Sequence, residues 1–70
     1  MDSKYTAVIK KEDNWWIGWV AEVPGVNCQE RTKEELVLSL KEALKEAIEF
    51  NRREALTAAG ESYLEEKIGI

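Results

Sequence analysis

At Thr32 the apolar periodicity of this chain changes from about two residues to about 3.6, the step from pleated strand to helix. The residues before Thr32 read as short strands and turns, and most of those after it read as one long amphipathic helix. Strands first and a helix afterwards predict an α+β domain rather than alternating strand-helix units. From Lys33 the stripe Leu36, Leu40, Ala43, Leu44, Ala47 and Ile48 marks one face, with Lys41, Glu42, Lys45, Glu46 and Glu49 opposite. Thr32 and Glu35 stand at the spacing of a capping box, which starts the helix at Lys33. Asn51, Ala55 and Ala58 continue the stripe, Glu49 lies four residues before Arg53 as a supporting pair, and Gly60 offers a left-handed cap. The helix is therefore expected to run to about Ala59.

Ahead of Thr32, Tyr5 to Ile9 alternates around strand formers, and Lys11-Glu12-Asp13-Asn14 breaks it, with Asn14 able to take the left-handed conformation. The next run, Trp15 to Val23, should return antiparallel, carrying Trp15, Ile17, Trp19, Ala21 and Val23 on one face and Trp16, Gly18, Val20 and Glu22 on the other. Pro24-Gly25 forms a type II turn, and Val26 to Gln29 is long enough for a third strand. The tail Tyr63 to Ile70 places Leu64, Ile68 and Ile70 on one side, which suits a last strand. The expected fold is thus β-β-β-α-β, with sheet order 3-2-1-4 and the helix across one face. Small residues let a helix approach closely, so Ala7, Ile17, Ala21 and Val23 are assigned to the covered face, leaving Thr6, Val8, Trp16 and Val20 open. An open apolar face of that kind marks an interface.

At 70 residues the chain is one domain, close to the size where a single core is barely sufficient, so a homodimer or larger homo-oligomer is expected. The net charge of -4 gives no footprint for a phosphate backbone, and no direct nucleic-acid contact is expected. Cys28 is the lone cysteine, so no internal disulfide forms. Met1-Asp2-Ser3-Lys4 is followed by no apolar run long enough for a signal peptide or a span, which points to a cytoplasmic protein with no membrane contact.

The chain has no histidine, and its carboxylates, lysines and Cys28 show no nucleophile-base pairing, so no catalytic residues are assigned and no enzyme is expected. Glu30, Glu34 and Glu35, or Glu61, Glu65 and Glu66, read as solvated faces rather than metal sites, and no metal or cofactor is expected. Cys28 reads as a small hydrophobe. Trp15, Trp16 and Trp19 could stack bases on a sheet, but the basic loops that accompany such platforms are missing.

The order of a Tyr-containing strand, an acidic turn, an aromatic strand ending Val23-Pro24-Gly25, then Gln29, Thr32, Glu34-Glu35 and the pairs Glu42-Ala43 and Glu46-Ala47 resembles the HicB family of antitoxins. The resemblance covers essentially the whole chain. It departs at Val26, where the family often has Cys, and at Glu30, where it often has Gly. It implies a partial RNase H-like fold without that superfamily's catalytic acids, which masks a small HicA-type ribonuclease toxin of double-stranded-RNA-binding fold. The expectation is a single HicB-like domain over 1–70 with no C-terminal DNA-binding module. Trp16 and Val20 are the candidate anchors for a basic toxin, with Glu22, Glu30 and Glu34 at the rim. Three alternatives stand beside this: a self-associating structural or orphan HicB-like domain without a toxin, a nucleic-acid-binding module, and a degenerate enzyme.

Overall fold

The computed structural model describes residues 5–70; Met1–Lys4, the start on which the signal-peptide reading partly rests, lie outside the described residues. Three strands, β1 (Ala7–Glu12), β2 (Trp15–Val20) and β3 (Asn27–Glu30), are followed by one helix, α1 (Lys33–Ala59). Both strand pairs are antiparallel and the sheet order is β1-β2-β3.

The first hairpin is tighter than expected. Glu12 pairs with Trp15, so the loop is Asp13-Asn14 alone. The positive φ (56°) falls on Asp13 and not on Asn14, at the first central position where tight hairpin turns need it. β1 accordingly reaches Glu12 rather than ending at Ile9. β2 stops at Val20, short of Val23, because the chain turns twice in succession: Val23 N–H donates to the Val20 carbonyl (3.3 Å) and Val26 N–H to the Val23 carbonyl (3.4 Å). Gly25 has φ 92°, the conformation a type II turn demands after proline. Val26, expected in β3, precedes it and is buried.

The helix starts and stops where its capping residues place it. Thr32 is extended (φ -126°, ψ 157°), and its Oγ1 accepts from the Glu35 N–H at 3.1 Å. The Glu35 carboxylate reaches back to the Thr32 hydroxyl (3.1 Å) instead of its amide. At the other end the Gly60 N–H donates to the carbonyls of Leu56 and Thr57 with φ 84°. Thr32→Ala should cost about 1 kcal/mol by stripping the acceptor from exposed amides. An unchanged urea midpoint would show that the cap contributes nothing.

Two expectations are corrected. The sheet has three strands and not the 3-2-1-4 order of four, because Tyr63 to Ile70 forms no strand. Arg52 bonds Glu65 at 2.7 Å and holds this segment against the helix, while Leu64 is 97% and Ile68 87% exposed, so its apolar side chains find no surface. The expected Glu49–Arg53 pair is replaced by this Arg52 contact among the described ion pairs.

On β2 the covered face is also the opposite of the expected one, with Ile17 on the open side and Trp16 and Val20 on the helix side. Ala7 on the helix side, Val8 in the open and Val23 against the core fall as expected. The helix lies on Trp16, Gly18 and Val20, and the core consists of Val20, Val26, Leu36 and Leu40, with Ile9, Trp16, Val23, Cys28, Leu44 and small helix residues packed around it. Gly18 decides this. A Cβ there would lie 3.0 Å from the Val8 carbonyl oxygen and 3.1 Å from methyl groups of both Leu36 and Leu40, so the backbone of β2 at Gly18 is the seat of the helix. Burying Leu36 and Leu40 contributes about 1.5–3 kcal/mol each.

The helix rests on β2 and β3 and barely touches β1. Ala47 is its last residue against the core, so Ile48–Ala59 project about 18 Å beyond it. The radius of gyration is 15.2 Å, against roughly 11 Å for a compact chain of this length. The accessible surface is 6244 Å², against roughly 4,450 Å² for a compact monomer of 8.0 kDa.

Candidate functional site

Strand alternation divides the sheet into two surfaces. Register places Ala7, Ile9 and Lys11 beside Val20, Gly18 and Trp16, and Cys28 and Glu30 beyond them, on the helix side. The other side carries Val8, Lys10 and Glu12 from β1, Trp15, Ile17 and Trp19 from β2, and Asn27 and Gln29 from β3. No element covers it among the described residues. Trp19 stands between Val8 and Asn27 and is 40% exposed; Val8 is 36% exposed, and Trp15 and Ile17 are half-buried. The Arg31 guanidinium sits 4.2 Å from the Trp15 ring centroid, a cation–π contact that holds that ring in place. Lys10 and Glu12 bridge at 3.2 Å along the margin. The result is a flat apolar strip with a charged border, suited to a protein surface rather than to a small molecule.

The residues expected to bind a partner do not come together. Val20 is buried beneath the helix, and Trp16 packs against the core with the Lys11 ammonium 5.8 Å from its ring centroid. Glu30 accepts a 2.6 Å bond from the Ser39 hydroxyl, which fastens β3 to α1. Glu22 grips Thr6 with both oxygens, accepting from the Thr6 N–H and the Thr6 hydroxyl at 2.7 Å each. Glu34 is exposed in the first turn of the helix and makes no bond to another element among the described residues, whereas Glu22 is exposed but occupied by Thr6. Trp19 is the exposed ring, while Trp15 and Trp16 are both half-buried; Trp15 and Trp19 lie on the β2 face that sequence reasoning assigns to the helix.

The Thr6 backbone bond, followed by the Thr6 hydroxyl bond, holds the Glu22 carboxyl below its ordinary value. Its contribution is therefore present above the unfolded carboxylate pKa and lost as pH falls through the lower folded value. Urea midpoints of the wild type should fall on acidification below the ordinary carboxylate range, and Glu22→Gln should lessen that fall. Parallel pH profiles for the two proteins would contradict the assignment. At Cys28, burial first and the Glu30 charge second raise the thiol pKa, which disfavours the reactive thiolate.

Among the described residues no group of three or more His, Cys, Asp or Glu side chains is placed to hold a metal ion, and no helix is long and apolar enough to cross a membrane. Comparison with known proteins finds no matching family model, no matching curated protein and no matching solved structure.

Proposed function

We propose that this chain is a cytoplasmic, non-catalytic protein-binding domain of HicB antitoxin type, which neutralises a small basic HicA-type ribonuclease by occluding it. The observation that carries the reading is the uncovered strip of Val8, Trp15, Ile17 and Trp19. Tryptophan is enriched among residues that dominate binding energy, and ring-sized apolar area with polar neighbours is the anatomy of an interface centre. A net charge of -4 favours encounter with a cationic partner, and this attraction weakens with added salt. Glu34 supplies an exposed carboxylate outside the apolar strip.

A base-stacking platform is the second reading, because Trp15 and Trp19 share an open sheet face with Lys10 and Arg31. Both cations are already engaged, Lys10 with Glu12 and Arg31 with Trp15, so the first reading is preferred. The test is RNA cleavage by a HicA-type ribonuclease titrated with this protein. Cleavage should stop near equimolar addition of the wild type. Trp19→Ala should weaken inhibition by roughly tenfold or more, the scale of an interface anchor, with the far-ultraviolet spectrum unchanged. Cleavage that persists in molar excess of the wild type ends the inhibitor reading. Retention of single-stranded RNA by the protein alone at moderate salt favours the platform.

A further inference from the structure

On the helix side of the sheet a second apolar surface remains unfilled. The helix leaves β1 uncovered, and between them runs a groove lined by Tyr5, Ala7, Val20, Val37, Leu40 and Leu44, with Lys41 at its rim. The backbone bordering it is also unpaired. The Ala21 N–H donates to the Thr6 carbonyl (2.9 Å), and the register continues from there, so Thr6, Val8, Lys10 and Glu12 bond towards β2 while Ala7, Ile9 and Lys11 direct their N–H and C=O groups outward.

We infer that this groove receives the segment Leu64–Ile70 of a second copy of the chain, exchanged reciprocally across a two-fold axis. Four observations lead to it. The Arg52–Glu65 bond ties the segment to its own helix by a polar side chain, and Leu64 and Ile68 are left exposed to solvent, neither lining the groove of their own chain. Leu64, Glu66, Ile68 and Ile70 share one side of an extended segment, so Glu66 falls among apolar residues and meets the Lys41 rim in the groove. Extended, the segment spans about 23 Å, close to the about 20 Å of six-residue β1. The surface in excess of a compact monomer, roughly 1,800 Å² per chain, is larger than the roughly 800 Å² that each partner contributes to a standard interface. The exchange is independent of the partner proposed above, because the groove and the Trp15–Trp19 strip lie on opposite sides of the sheet.

The experiment is light scattering on the full chain across micromolar concentrations. The wild type should be a dimer, and two sets of variants at exposed positions, Leu64→Asp with Ile68→Asp in the segment and Val37→Asp in the groove, should each weaken dimerisation at least about tenfold with helical content retained. Mixing the two should restore association above either alone, since one intact segment then faces one intact groove. In a Cys28→Ser background, Val37→Cys with Leu64→Cys should oxidise to a disulfide between copies. A wild-type monomer at every concentration, a dimer untouched by the segment variants, no restoration on mixing, or a disulfide formed within one chain would each overturn the inference.

Discussion

Leu36→Ala should remove about 2–5 kcal/mol of stability, the range for truncating a buried leucine. Leu36 is fully buried and is the centre of a core with three other buried apolar residues, Val20, Val26 and Leu40. Its methyl group also meets the β2 backbone at Gly18, so the cavity would open at the seat of the helix, where the rigid sheet cannot collapse into it. A domain of 70 residues has roughly 3.5–10 kcal/mol in total. The variant should therefore be partly or wholly unfolded at room temperature, read as loss of ellipticity and of a cooperative urea transition. A loss under about 1 kcal/mol would mean that the helix is seated elsewhere.

Gly18→Val should be destabilising by about 1–3 kcal/mol or more, although valine favours strands and glycine weakens them. The propensity argument and the packing argument have opposite signs here, so the outcome discriminates between them. A Cβ alone would press on the Val8 carbonyl oxygen, which is backbone and cannot rotate aside, and on both leucine side chains. The two γ-methyl groups of valine extend further into the same contact. Urea unfolding of Gly18→Val beside the wild type measures it. Equal or greater stability in the variant would place the helix on the other face of β2.

The frame of this fold is legible in the sequence because each of its junctions is marked by a residue with a local mechanism. Thr32 accepts from Glu35, Gly25 and Gly60 take positive φ, and each of these marks a boundary without help from tertiary structure. The covered face is harder to read because β2 is apolar on both sides, Trp16 and Val20 against Trp15, Ile17 and Trp19, so periodicity alone cannot choose between them. Two clues are present. A two-residue loop at Asp13-Asn14 sets Ala7 beside Val20, and Gly18, the smallest side chain of the strand, allows the closest approach of a helix. Leu64, Ile68 and Ile70 alternate like a strand, but alternation describes a side, and a strand also needs an edge to pair with. Charge alone suggests the rim for Glu22 and Glu30; each instead fastens one element to another, through Thr6 and Ser39. The partner class is not readable from any local mechanism and rests on the resemblance to HicB antitoxins.

The central claim is a division of labour between the two faces of one sheet, Trp16, Gly18 and Val20 building the core and Val8, Trp15, Ile17 and Trp19 binding the partner. Oxidative footprinting with mass spectrometry, following the three tryptophans separately in the free chain and in its complex with a small basic ribonuclease, tests both halves. Trp19 should be oxidised fastest in the free chain and become protected in the complex, with Trp15 protected alongside it and Trp16 slow and unchanged throughout. Protection of Trp16 in the complex, or an unaltered rate at Trp19 while the complex forms, would contradict it.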